Sequence, residues 1–577
     1  MTQRSDLRFA PPEVQVSKRP DGSLLLRSPQ KLAPYARCVT EWLVQWSEGA
    51  PDTIFLAERS SSGSWKTVNY KEAHGAVRRI GQALLDRGLG AAKPVAILSD
   101  NGIDHALLAL GAMHVGVPVA PVSPAYSLMS KDFAKLKMIF ELLQPGLVWT
   151  ADPAKFALAL EAVGRKTIGI EELLETNPGS TLEREFARIT PDTIAKILFT
   201  SGSTGVPKGV INTHRMLCAN QQMLAQAWPL VEDRPPVVVD WLPWNHTFGG
   251  NHNFNLVLRN GGTLYVDGGK PVPGLAEVTA KNLAEIAPTM YFNVPRGYDL
   301  LLPFLERDER LRRNFFSRLD VLFYAAAALP QNLWDRLLKL SDEENRHPAM
   351  LSAWGSTETA PLATSVHFPI ERAGVIGLPV AECELKLVPA AGKLEVRVRG
   401  PNVTPGYYRR EDLTRAAFDD EGFYRIGDAV KLADPADPAK GIVFDGRVAE
   451  DFKLSTGTWV HVGALRVKLI AAGDPLIQDA VITGHDRDAI GALVFLSAAA
   501  KELDAQEIRA RLSRVLESLS KEAGSSMHPS RLMIMAEPPS IDANEITDKG
   551  YMNQRAVLER RAALVRKLYE GGPEVIT

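Results

Sequence analysis

The chain has 577 residues, too many for one hydrophobic core, so a subdivided large domain and a smaller one are expected. Hydrophobic residues make up 45% and charged residues 23%, and the net charge of -2 speaks against a nucleic-acid or anionic-membrane surface. Three cysteines, Cys38, Cys218 and Cys383, lie far apart with no metal-ligand spacing. They argue for a reducing, cytoplasmic setting and against a disulfide framework.

Residues 1–35 read as an extended, proline-containing arm without the apolar core of a secretory signal. Val39, Trp42, Leu43 and Trp46 then recur at helical spacing. An amphipathic helix is predicted over Ala73–Gly88, with Val77, Ile80 and Leu84 on one face, followed by a strand at Pro94–Leu98 and a helix at Ile103–Val115. The longest apolar stretch, Ala106–Ala120, is too short to span a membrane. Val117–Val122 is strand-like, but Pro118 and Pro121 confine it to a sheet edge or an irregular stretch. Buried strands follow at Ile197–Phe199, Val237–Val239, Thr263–Val266 and Val321–Tyr324. Strands alternating with helices imply an α/β fold, with a parallel sheet flanked by crossover helices. After Gly392 the texture changes. Leu394–Val398 alternates, turns cluster at Pro401, Pro405 and Gly406, and beyond Arg447 the chain reads as a compact α+β unit. The expected division is an arm over 1–35, a large domain over 36–446 and a small mobile domain over 447–577.

The most informative stretch is Leu198-Phe199-Thr200-Ser201-Gly202-Ser203-Thr204-Gly205-Val206-Pro207-Lys208-Gly209-Val210. A buried strand enters a loop of small residues that reaches a lysine. Glycines let the backbone approach an anion, hydroxyls and amides donate to phosphate oxygens, and Lys208 adds a point charge. Gly209 follows Lys208 where an ordinary P-loop has Ser or Thr, so the stretch departs from that motif.

It closely resembles the phosphate loop of the adenylate-forming superfamily, which includes acyl-CoA synthetases, luciferases and peptide-synthetase adenylation domains. Further motifs follow in that superfamily's order. In Trp354-Gly355-Ser356-Thr357-Glu358-Thr359, the resemblance implies that Glu358 holds Mg2+, Thr357 bonds the α-phosphate and Trp354 stacks on adenine beside Gly355. Asp428, in Gly422-Phe423-Tyr424-Arg425-Ile426-Gly427-Asp428, and Arg447, in Asp445-Gly446-Arg447, match the ribose contacts. Glu545-Ile546-Thr547-Asp548-Lys549-Gly550 resembles the loop of the adenylation lysine, Lys549, with Asp548 where glycine is usual. Two residues after Arg447, where the superfamily's hinge is Asp or Lys, this chain has Ala449.

Asp240-Trp241-Leu242-Pro243-Trp244-Asn245-His246-Thr247-Phe248-Gly249-Gly250 sits where the superfamily gates its acyl pocket. His246 matches the gate, and Phe248 and His252 fall at pocket positions. Ala325 and Ala326, in Tyr324-Ala325-Ala326-Ala327-Ala328-Leu329-Pro330, replace a glycine-rich run; small side chains there serve a flat ring or tight strand packing alike. Over most of the chain from Tyr35 the sequence is similar to bacterial feruloyl-CoA synthases. That resemblance implies an acid–CoA ligase acting on ferulate or a related hydroxycinnamate with ATP, CoA and Mg2+. It leaves a homodimer open. Rival readings are an NTPase releasing ADP, an adenylating enzyme loading a carrier protein, a fatty or other aryl acid ligase, and a non-catalytic nucleotide binder.

Overall fold

The computed structural model describes residues 7–201, 205–390, 392–522, 528–547, 550 and 552–577. Within them lies a mixed α/β architecture with a large N-terminal part and a smaller C-terminal α+β part. Two features position the site. One is a sheet of order Leu147–Trp149, Val95–Ile97, Val119–Pro121, Ile194–Ser201 and Pro207–Thr213, parallel except for its last pair. The other is a long sheet in which Met290–Asn293, Val321–Tyr324 and Ala349–Gly355 run parallel and continue through antiparallel strands that include Tyr424–Leu432 and Ile442–Arg447. A third sheet carries Val237–Asp240 beside Thr263–Val266 and Ile54–Arg59, all parallel, with Trp65–Asn69 added antiparallel.

The helices follow local chemistry. Asn69 and Glu72 form a reciprocal capping box that starts helix Tyr70–Asp86, whose buried face includes Val77, Ile80 and Leu84. It packs on helix Ile103–His114 at Gly111, where an added Cβ would lie 2.6 Å from Ile80 Cγ2. Helix Thr40–Gly49 buries Trp42 and Leu43, while the half-buried Trp46 donates its indole N–H to the Arg259 carbonyl at 3.0 Å. All three cysteines are buried and free.

Two expectations are corrected. Residues 1–35 are not merely an extended arm: Gln15–Lys18 and Leu24–Arg27 form a hairpin whose second strand pairs antiparallel with Glu384–Ala390, closing the end of the long sheet. Val119–Pro121 is an interior strand, not an edge. The prolines fit because the strand is short. The Pro118 carbonyl accepts from Val95 N–H and Val122 N–H donates to Ile97 O, each at 2.9 Å, while pairing with Ile194–Ser201 is confined to Val119 and Lys196.

The C-terminal part has its own core. Leu469, Ile482, Val494, Leu512 and Leu532 pack together over strands Ile477–Thr483, Gly491–Leu496 and Arg531–Ile534, with helix Ala505–Glu522 against them. Among the described residues, no helix is long and apolar enough to cross a membrane.

Candidate functional site

Strand Ile194–Ser201 turns back as Pro207–Thr213, pairing Thr200 with Lys208 and Ser201 with Pro207. Gly205 sits in the turn at φ +78°, a conformation glycine adopts without strain. Gly202, Ser203 and Thr204 lie outside the described residues, as do Asp548 and Lys549. The Lys208 ammonium lies 5.4 Å from the ring centre of Tyr407. Tyr407 donates its hydroxyl to Glu358 Oε1 at 3.1 Å. One tyrosine thus bridges the loop lysine and the buried carboxylate that the sequence marks for a cation.

Glu358 follows strand Ala349–Gly355 in a tight turn capped by Ser356, whose Oγ accepts from Glu358 N–H at 3.2 Å. Thr357 is buried beside it. Gly355 is obligatory: a Cβ there would meet Pro361 O at 1.6 Å. Trp354 donates its indole N–H to Asp428 Oδ2 at 3.0 Å. Arg447 Nε approaches Asp428 Oδ1 at 3.5 Å, an ion-pair contact across adjacent strands. Burial pushes Asp428 above the usual carboxylate range against the pull of Arg447 and Trp354, and Glu358 adds to the rise. Among the described residues, Oδ1 has no hydrogen-bond partner. A ligand hydroxyl is the natural donor for such an oxygen.

The segment after Asp240 winds into a π-helical stretch, Phe248–Asn253, continued by helix Phe254–Arg259. Gly249 and Gly250 permit the close crossing, since Cβ atoms there would lie 2.3 Å from the Leu242 and Trp244 carbonyls. His246 is half-buried, and Phe248 N–H donates to its Nδ1 at 3.4 Å. His252 is buried among rings: it stacks on Phe323 at 5.2 Å and meets Phe248, Phe292 and Trp228 edge-on. Ala325 is partly buried and Ala326 exposed at φ +75°, in the conformation glycine would take.

Lys196, buried in the strand that leads to the glycine-rich loop, donates to Gly250 O at 2.7 Å and Asn251 Oδ1 at 3.3 Å. Burial pushes it down to about 7.

Sequence reasoning brought Trp354, Asp428 and Arg447 together, and Glu358 with Lys208, but missed Tyr407. The turn signal at Pro405–Gly406 was its one trace. Also missed was the docking of the C-terminal segment. Asp542 accepts from Ser130 Oγ at 2.7 Å and Lys131 N–H at 3.0 Å. Lys135 donates to Ile541 O at 2.7 Å, and Asn544 lies against Gly205. Near the expected hinge, Asp451 accepts from Lys393, His461 Nδ1 (2.9 Å) and Val462 N–H (3.1 Å).

In comparison with known proteins, the chain is 27% identical over 414 residues to the long-chain-fatty-acid–CoA ligase of Escherichia coli, covering 60% of this chain and 70% of that one. It is 23% identical over 438 residues to the 3-[(3aS,4S,7aS)-7a-methyl-1,5-dioxo-octahydro-1H-inden-4-yl]propanoyl:CoA ligase of Rhodococcus jostii, covering 72% of this chain and 81% of that one. The fold matches an anthranilate CoA ligase at TM-score 0.74, with 18% identity over 93% of this chain and 99% of that one. It also matches the o-succinylbenzoate CoA synthetase of Bacillus subtilis at TM-score 0.70, with 19% identity over 91% and 98%. The AMP-binding enzyme family matches residues 43–408 and the AMP-binding enzyme C-terminal domain residues 453–572; the chain therefore belongs to the AMP-binding, adenylate-forming enzymes.

Proposed function

We propose that the protein is an acid–CoA ligase that activates a hydroxycinnamate, ferulate or a near relative such as caffeate or p-coumarate, through its acyl-adenylate. The observation that carries the reading is the convergence on one site of Lys208, Tyr407 and Glu358 with Trp354, Asp428 and Arg447. The first set suits phosphates and the second a nucleoside. The sequence similarity to CoA ligases supports the thioester step, and the ring-lined surroundings of His252 support a flat aromatic acid.

In this reading the substrate carboxylate attacks the α-phosphorus of ATP and pyrophosphate leaves, giving a mixed anhydride. The CoA thiolate then attacks the acyl carbonyl, and AMP departs with the anhydride oxygen. No protein nucleophile is required. Thr200, Ser201, Gly202, Ser203, Thr204, Gly205 and Lys208 cradle the phosphates, and Thr357 bonds the α-phosphate. Trp354 stacks on adenine beside Gly355, and Asp428 with Arg447 takes the ribose. Magnesium is commonly held by one or two carboxylates plus phosphate oxygens, so Glu358 alone is a fitting protein donor for it. When bound it would neutralise phosphate charge. Lys549 stabilises charge developing between carboxylate and phosphate; Asn544 against Gly205 supports its delivery to the loop. His246, Phe248, His252, Ala325 and Ala326 form the acyl pocket. Residues 447–577 act as a small domain that turns against residues 36–446 about Ala449 between the two half-reactions.

The test is AMP release with ATP, Mg2+, CoA and ferulate, beside a medium-chain fatty acid. AMP that depends on both CoA and ferulate supports the proposal. AMP with the fatty acid alone keeps the mechanism and sinks the substrate. ADP, or no turnover, refutes the whole reading.

A further inference from the structure

Strand Val237–Asp240 ends in a buried carboxylate that leads, through one amide, to the histidine of the acyl pocket. Asp240 Oδ1 accepts from Leu242 N–H at 2.9 Å, and Oδ2 accepts from Asn253 Nδ2 at 2.9 Å. Asn253 Oδ1 lies 2.9 Å from His252 Nδ1. All three side chains are almost wholly shielded, at 2%, 0% and 2% exposure for Asp240, Asn253 and His252.

These partners dictate where the protons sit. In its carboxylate form Asp240 only accepts, so the end of Asn253 facing it is then the NH2 group. The end left for His252 is a carbonyl, which also only accepts. His252 Nδ1 therefore carries a proton. Burial pushes the imidazole down to about 4, so at neutral pH it is uncharged and holds one proton. Nε2 is then a bare lone pair, and it has no partner among the described residues. Stacking on Phe323 and the edges of Phe248, Phe292 and Trp228 leave the ring little freedom to turn. A buried acceptor left unsatisfied is costly, and a ligand that donates to it removes that cost.

We propose that Asp240 and Asn253 are positioning residues that lock His252 in its Nδ1–H tautomer, so that Nε2 selects acids bearing a hydroxyl donor on the ring. The inference rests on the acyl-pocket reading above. A ring with hydrogen or only a methoxyl group at that position leaves Nε2 unpaired. The same site then rejects such acids without any steric clash.

The test uses the full chain with 15N-labelled histidine at about pH 8.5, so that the carboxylate form of Asp240, raised by burial to about 7, faces Asn253. The His252 signal is identified by its loss in His252→Asn. The wild-type spectrum is expected to show Nδ1 protonated and Nε2 bare. In Asp240→Asn, whose amide can present either end to Asn253, both tautomers should appear. The ratio of kcat/KM for p-coumarate over cinnamate should then fall roughly tenfold. A wild-type proton on Nε2 overturns the lock, with or without a folded variant. So does a tautomer shift in Asp240→Asn that leaves the ratio unchanged. A wild-type enzyme that turns over fatty acids but neither p-coumarate nor cinnamate overturns the pocket reading instead, and the wild-type spectrum still decides the relay on its own.

Discussion

Glu545 opens the motif that contains Lys549, and it is fully buried. Its carboxylate accepts from Ser540 N–H at 2.9 Å, Arg560 Nη1 at 2.6 Å, and Arg561 Nε and Nη2 at 2.7 and 2.9 Å. Arg561, itself buried, also donates to the Glu537 and Pro538 carbonyls, each at 3.0 Å. Glu545→Gln keeps the size and one acceptor, but sets a neutral amide against a guanidinium that stays charged. Removing one member of a buried ion pair costs about 3–5 kcal/mol. The remaining acceptor and the exposure of Arg560 bring the expected loss to about 2–3 kcal/mol. For a unit of this size that lowers the melting temperature by roughly 10–15 °C. The assay is thermal unfolding followed by hydrogen exchange at Ser540 and neighbouring amides of the C-terminal part. Burial opposes the charge of Glu545, but the arginines outweigh it and hold the group below its ordinary value of 4.5. Its contribution is therefore fully present above pH 4.5 and is lost as the pH falls through the lower folded value, so the gap between variant and wild type should narrow in acid. A variant melting within about 2 °C of wild type at pH 7, or a gap independent of pH, would refute this account of the loop's anchoring.

Three further outcomes follow from the site. Trp354→Phe keeps an aromatic face but removes the donor to Asp428, so the KM for ATP should rise about tenfold with little change in that for the acid; equal changes in both would count against it. Lys393→Met takes the cation from the buried Asp451 and should weaken the seating of the C-terminal part by about 3 kcal/mol. Pyrophosphate exchange should slow more than thioester formation from supplied adenylate, and equal slowing would show that the pair only supports the fold. Lys549→Ala should cut adenylate formation by roughly 100-fold or more while sparing transfer from supplied adenylate, and equal loss of both steps would remove its assigned role.

Much of the fold was legible because its elements declare themselves locally. The strands at Val237–Asp240, Thr263–Val266 and Val321–Tyr324 are short apolar runs, and helix Tyr70–Asp86 repeats its apolar face at helical spacing behind a capping asparagine. The residues proposed to hold the nucleotide could be picked out too, since each lies in a run of glycines and polar residues. What stayed hidden depends on partners remote in sequence. Leu24–Arg27 is too short to read as a strand until Glu384–Ala390 supplies its ladder. Pro121 argues for an edge unless the neighbouring strand is known to pair only at Val119. Tyr407 acquires meaning only when Lys208 and Glu358 approach it from different elements. Asp240, alone, reads as an aspartate closing a turn at a strand end; its second oxygen, which accepts from Asn253, shows its contact beyond that turn.

Lys196 shows how one such hidden contact joins the two halves of the site. Its strand enters the glycine-rich loop four residues later, and its Nζ donates to Gly250 O in the stretch between His246 and His252. The grip is reinforced from the other side. Asn251 donates to Asn212 Oδ1 at 2.8 Å and Thr247 Oγ1 at 3.1 Å, while Gln221 donates to the Asn251 and His252 carbonyls at 3.0 and 3.1 Å. Asn212 belongs to Pro207–Thr213, the strand that leaves the same loop. Both strands of the loop hairpin are thereby tied to one wall of the proposed acyl pocket. An in-line attack needs carboxylate and α-phosphorus within a few tenths of an ångström of the productive distance. A buried lysine and an amide network couple the two strands of the loop hairpin to the wall of the proposed acyl pocket, which accounts for a lysine in a strand that otherwise reads as apolar core.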